Sequence, residues 1–278
     1  MRKISILLTL AMFLVWASPV MGQSSPYGKL CQFINVDKSV KAKLGSGEDA
    51  TYQHNSVKAL WPVMLNGKEC PQLQEALCRW LAEKKKTNQM DRAIESALYS
   101  DCEDVPFGDN GPYLIVDDFD EDMFSCSTLA NTIELQSLGD RFALYHLFTN
   151  MYFAGAAHGM YVHNYITYDI ERDHIVTLED ILIDPELIRP YILQSINLKF
   201  DYTEEDLFLP EDNIPNVPGV FYFEDGFLHL VYQVYEIASF AQGHIDVPLF
   251  HHYSEDYDDI LTPYGKELRK ESFLEDLY

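Results

Sequence analysis

Residues 152–170 read YFAGAAHGMYVHNYITYDI. The first half gathers Ala154, Gly155, Ala156, Ala157 and Gly159 around one histidine, His158. The second half alternates, with Tyr161, His163, Tyr165 and Thr167 on one side and Val162, Asn164, Ile166 and Tyr168 on the other. A period of two is that of a strand, whose successive side chains point to opposite faces. Small residues directly before a strand let another backbone come close, which suits a ligand site or a crowded crossing of chain.

Upstream, residues 131–136 and 141–152 predict a strand hairpin around Leu138-Gly139-Asp140 that delivers the chain into this cluster. Downstream, residues 171–174 turn the chain and Ile175-Val176 pairs back. Thr177, with Asp180 three residues on, predicts a helix N-cap. Pro185 then opens a longer helix with Leu187, Ile188, Ile192, Ile196 and Leu198 as its apolar side. Residues 201–218 read as an acidic, proline-bearing loop around a short helix. The clearest hairpin follows, with strands 220–223 and 227–234 joined by Glu224-Asp225-Gly226. Residues 235–238 break it, residues 244–249 form the last strand, and a short helix is expected within 265–277.

In the first half, Val57, Ala59, Trp61 and Val63 alternate in a strand with Pro62 near an edge, while residues 41–54 read as a loop or weak crossover. Asn66-Gly67 is a turn dipeptide. Pro71 opens a helix with Leu73, Leu77, Trp80 and Leu81 on one face, and residues 90–99 offer another. The expected fold is α+β, with helices packed on antiparallel sheets in two small, intimately packed subdomains.

Met1–Gly22 read as a secretory signal peptide, since Arg2 and Lys3 precede an apolar run from Ile4 to Ala17 and cleavage near Gly22 is permitted. The mature chain is expected in the periplasm or outside the cell, with no later stretch suited to crossing a bilayer as a helix. The formal charge is −24, and cleavage removes Arg2 and Lys3 to leave −26. Such a field repels nucleic-acid phosphates and anionic lipids and attracts basic proteins or cations. The acidic run at 101–122 lacks calcium-loop spacing and reads as a solvated loop. Five cysteines, Cys31, Cys70, Cys78, Cys102 and Cys126, are expected to serve structural bridges, with an odd thiol left over and the pairing open.

No nucleophile elbow, phosphate loop or H-E-x-x-H occurs, so no catalytic residue, metal ligand or cofactor is named. His158 and His163 do not share a helix face as a zinc pair would. His158 is expected to be buried or half-buried and to satisfy backbone groups. Tyr235 and Glu236 stand where a strand breaks into a loop, a place that often carries function. His158, Gly155, Gly159, Tyr235 and Glu236 are therefore the candidate binding residues, and residues 235–243 are expected to lie against the small-residue cluster beside a common groove.

AGAAHG at 154–159, YDIERDHIVTLEDIL at 168–182, FYFEDGFLHLVYQVYEIASFAQGHIDVPL at 221–249 and ILTPYGKEL at 260–268 resemble the RsiV-type extracytoplasmic domain of unknown function. KALWPVMLNG with LQEALCRWL, within 58–81, is similar to the PdaC-type domain that precedes it in bacterial envelope proteins. One departure is Ala156, where the family shows a second glycine. Between the signal peptide at 1–22 with its polar leader at 23–29 and the acidic tail at 254–278, the resemblance implies a PdaC-type domain at 30–153 and an RsiV-like domain at 154–253. It implies a binding role toward a protein or glycan, with lysozyme as the basic partner the family suggests. The alternative is a glycan-acting hydrolase using paired carboxylates, whose mark would be two facing carboxylates in an aromatic-lined cleft.

Overall fold

A computed structural model describes residues 21–24, 28–44, 50–82, 87–99, 114–116, 126–249 and 257–272. Among the described residues nine strands form one sheet: β1 (Met21–Ser24), β2 (Leu30–Leu44), β3 (Thr51–Leu65), β4 (Lys68–Glu69), β5 (Leu114–Ile115), β6 (Cys126–Leu138), β7 (Phe142–Tyr152), β8 (Met160–Asp169) and β9 (His174–Ile175). The main path runs β1-β2-β3-β6-β7-β8-β9, with β4 on β3 and β5 on β2. All pairings are antiparallel except β3 with β6, which run parallel from Tyr52↔Cys126 to Ala59↔Ile133. A parallel pair needs a long crossover, and here the chain leaves β3 through two helices before returning as β6. The sheet is thus mixed rather than wholly antiparallel.

The helices α1 (Pro71–Leu81) and α2 (Met90–Leu98) bury Leu73, Leu77, Cys78 and Leu81, and Ala93, Ile94, Ala97 and Leu98. These side chains meet Val57, Ala59, Trp61, Ile133, Tyr145, Leu147 and Tyr168 from one face of the sheet in a first core. Each fully buried leucine contributes about 2 kcal/mol. Pro62 lies past Ala59, the last β3 residue paired with β6, so its missing N–H leaves no ladder bond unmade on that side. Residues 51–54, expected in a loop, belong to β3, which pairs with β2 as far as Thr51.

The chain then continues through α3 (Leu178–Ile181), a 3-10 turn at Pro185–Ile188 and α4 (Arg189–Phe200). A three-stranded antiparallel sheet follows, β10 (Val220–Glu224), β11 (Phe227–Tyr232) and β12 (Ile245–Pro248), and then α5 (Tyr257–Ile260) and α6 (Pro263–Ser272). The Thr177–Asp180 capping box forms as the sequence predicts. In the β10–β11 turn Asp225 and Gly226 both have positive φ, as a two-residue hairpin of right-handed strands requires. Ile188, Ile192 and Ile196, spaced by four, are buried on one face, whereas Leu187 and Leu198 fall to the side of that face and are exposed.

Some expected boundaries move. Strand pairing starts at Met21, so Gln23 and Ser24, expected in a leader, pair with Cys31 and Leu30, and the expected cleavage point near Gly22 lies within β1. The division expected after Phe153 falls inside the β7–β8 hairpin, whose register from Phe142↔Asp169 to Met151↔Met160 holds both sides in one sheet. The apolar cores divide later, since the first ends at Ile170 and the second takes in Val176 through Leu268 together with Phe142. Leu261 and Leu268 are buried in that second core, so most of the supposed tail is structural.

Cys31, Cys70 and Cys78 are buried thiols outside any disulfide, which corrects the expectation of bridges among them; Cys126 is buried as well, and Cys102 lies outside the described residues. Burial pushes the Cys70 thiol up to about 12 and the Cys78 thiol up to about 11, so both are poor nucleophiles. Apart from 114–116, the acidic run at 101–122 also lies outside them.

Candidate functional site

The alternation of β7 and β8 puts Tyr145, Leu147 and Tyr168 into the first core and turns His146, Phe148, Tyr161, His163 and Tyr165 to the opposite face. There the rings form a continuous row. Phe148 lies 4.8 Å from His163, His163 5.2 Å from His146, His146 4.7 Å from Tyr165, and Tyr165 4.2 Å from Tyr222 on β10, between ring centroids. Tyr222 stacks in turn on His229, and both hold Asp246, through Tyr222 Oη donating at 2.7 Å and His229 Nδ1 at 2.8 Å. Burial pushes the Asp246 carboxyl up, but His229 and Tyr222 together outweigh it and hold the group below its usual range.

β8 pairs with β9 only at Tyr168 and Asp169, leaving the His163 peptide open at the sheet edge. The Gln233 carboxamide closes it, accepting from His163 N at 2.9 Å and donating to His163 O at 2.7 Å. Gln233 starts the turn that carries Tyr235, and Glu236 steadies this turn by accepting from Gln233 N at 2.7 Å. The chain then makes a 3-10 turn at Phe240–Gln242 and reaches His244, whose ring lies 4.2 Å from that of His163.

This docking brings the two sequence-predicted stretches together. The His158 ring stacks on Phe240 with centroids 3.8 Å apart, and Tyr235 Oη lies 3.4 Å from His158 Nε2, a long contact. His158 Nδ1 donates to Gly159 O at 2.9 Å, leaving Nε2 as the acceptor in the neutral ring. His158 bonds a backbone group as expected but is exposed, because the turn at 153–159 projects beyond the sheet. Gly155 supplies the left-handed position with φ +77°, so the alanine at 156 carries no such strain. Gly159 allows a close approach, since a Cβ there would sit 2.9 Å from Met151 O.

The resulting surface is aromatic and open. Tyr235 is 49% exposed beside the His158–Phe240 stack, and Phe153, on the turn that leads to His158, is 59% exposed. Tyr235 holds φ +67°, a region that costs a side-chain-bearing residue about 1 kcal/mol or more. Strain at an exposed ring with little core to bury it points to a role for the ring itself. Phe153, Phe240, Gln233, His146 and His244 were not named from the sequence. The alternation of β7 against β8 could have placed His146, whereas the loop residues carried no periodic signal.

Neither Asp246 nor Glu236 stands as the free acid or base a hydrolytic pair uses, since both Asp246 oxygens are bonded and Glu236 binds a backbone N–H. Among the described residues no group of three or more His, Cys, Asp or Glu could hold a metal ion, and no helix is long and apolar enough to cross a membrane. A cavity of about 30 Å³ lined by Ser137, Thr167 and Glu271 lies elsewhere and has room only for water.

No family model matches the chain, and no curated protein matches it. Solved structures do. A DUF3298 family member from Bacteroides fragilis is 13% identical with a TM-score of 0.64, covering 88% of this chain and 98% of its own. A DUF3298 family protein from Pseudomonas aeruginosa is 16% identical with a TM-score of 0.52, covering 90% and 97%. At these identities the likeness is one of fold, and the chain shares an α+β fold, nearly from end to end, with DUF3298 family proteins, a domain of unknown function.

Proposed function

We propose that this chain is an exported cell-envelope protein whose RsiV-like, non-catalytic domain binds a protein or glycan ligand through the face formed by His158, Tyr235 and Phe240, with a PdaC-type domain before it. The observation that carries the reading is the exposed Tyr235 ring, held in a left-handed backbone beside the His158–Phe240 stack. Aromatic side chains dominate the energy of binding faces because they bury large areas at low entropic cost. The charge of −24 adds long-range attraction for a basic partner, and lysozyme is the basic protein that the motif resemblance suggests.

Titration with lysozyme, beside a pull-down from envelope extract, tests this. Saturable binding tighter than millimolar is expected, weakening as salt rises from about 0.15 M to about 0.5 M because exposed charges are screened. Phe240→Ala is expected to reduce affinity by about tenfold or more. No saturable partner in either assay, or affinity untouched by the substitution, would contradict the reading.

A further inference from the structure

The segment 233–244 that presents Tyr235 and Phe240 is held on β8 at both ends, and both holds meet at one residue. At its start the Gln233 carboxamide closes two hydrogen bonds on the His163 peptide. At its end the His244 ring packs on the His163 ring, and Tyr161 meets His244 edge-on at 6.0 Å. His163 Nδ1 also lies 2.9 Å from His146 Nε2 on β7. Two facing imidazole nitrogens at that distance need one N–H donor and one bare acceptor. One added proton leaves a single imidazolium that still donates to the neutral ring, and a second makes both facing nitrogens donors and places two cations against each other, with ring centroids 5.2 Å apart.

The surroundings do not supply a full counterion. Glu134 stands opposite His146 on β6, and Asp246 on β12 already receives His229 and Tyr222. Tyr161 and Tyr165 flank the row on β8, and on the segment itself Glu236 is tied to Gln233 N while His158 stacks outside on Phe240.

We propose that the His146–His163 pair, on which the His244 ring packs, forms an acid-sensitive latch that holds segment 233–244 on β8 while the pair is neutral and releases it, together with the Tyr235–Phe240 face, as the pair takes up protons. This rests on that face being the binding site, although release itself needs no ligand. Burial, then the neighbouring imidazoles, hold His163 down to about 4, and burial lowers His146 from 6.5; Asp246 and Glu134 act the other way. Once the segment lifts, these rings return toward 6.5 and the open form binds more protons between about pH 6.5 and about pH 4. The closed form is therefore fully favoured above that window and loses ground as pH falls through it.

Hydrogen exchange on the full chain, with no ligand present, tests the latch by comparing protection factors at about pH 7.5 and about pH 5. Protection of residues 233–244 is expected to fall by about tenfold relative to β3, after discounting for the partial exposure of the rings. His163→Phe should abolish that fall; if it does not fold, the His146→Phe, His244→Phe double variant should reduce it, because burial of His163 alone then remains. Equal protection at both pH values, an equal loss in β3, or a fall undiminished in the variant that folds would overturn the latch. Exchange as expected with no ligand bound at either pH would instead overturn the binding reading and leave the latch standing.

Discussion

Asp169→Ala is expected to destabilise the protein by about 3–5 kcal/mol, the range seen when one member of a buried ion pair is removed. The carboxylate is fully buried. Its Oδ2 accepts from Arg141 Nε at 3.0 Å, a second Arg141 nitrogen at 2.8 Å and Tyr264 Oη at 2.9 Å, while its Oδ1 accepts from the backbone N–H groups of Glu171 and Arg172. Arg141 also bonds Glu267 on α6, and Glu271 takes the Arg141 and Phe142 N–H groups. The network therefore fastens α6, part of the second core, to the ends of β7 and β8.

Burial pushes the Asp169 carboxyl up, but Arg141, Tyr264 and the Arg172 N–H outweigh it and leave the group below its usual range. Its contribution is thus complete above the ordinary carboxylate range and is lost as pH falls below it. Urea unfolding at neutral pH should show the midpoint falling with an unchanged slope. Adding Arg141→Met should recover part of the loss, because it removes the guanidinium left without its buried counterion. A loss under about 1 kcal/mol in the single variant would show that water replaces the network.

Gly265→Ala should cost about 3 kcal/mol, although the same change in an exposed helix gains about 1 kcal/mol. A Cβ on Gly265 would stand 2.3 Å from Ile181 O, and that carbonyl already accepts from Thr262 N at 2.9 Å. Because the obstacle is backbone and Ile181 is fully buried, α3 and α6 must separate to admit the methyl group. Thermal unfolding should show a drop of several degrees, and a midpoint at or above that of the parent would mean the helices are not packed this closely.

The elements most legible in the sequence were those whose local chemistry and tertiary packing agree. Alternation from 161 to 168 placed β8 and assigned its faces. Pro71 and Thr177–Asp180 opened helices where expected, and Asn66-Gly67 and Asp225-Gly226 turned as their permitted positive φ requires. What escaped depended on long-range pairing. No local pattern announces that β6 runs parallel to β3, since that follows from a crossover through two helices. Nor could spacing show that Leu261 and Leu268 belong to a core, because residues 254–278 are dominated by charge.

The candidate site was half legible for the same reason. His158 and the glycines stand out beside a strand, and Tyr235 with Glu236 interrupts another. Their meeting was expected and is found in the His158–Tyr235 contact and the His158–Phe240 stack. Its cause is Gln233, whose carboxamide completes an unpaired strand edge, a role that an isolated glutamine does not advertise.

The most direct measurement of the central claim is Tyr235→Gly, with stability and lysozyme affinity followed on the same preparation. Glycine adopts φ +67° without the penalty that tyrosine bears, and the ring it removes is half exposed. If Tyr235 is kept for binding, the unfolding midpoint should hold or rise while affinity falls by about tenfold or more. A variant that loses stability while binding as tightly as the parent would contradict the account, because Tyr235 would then serve the fold.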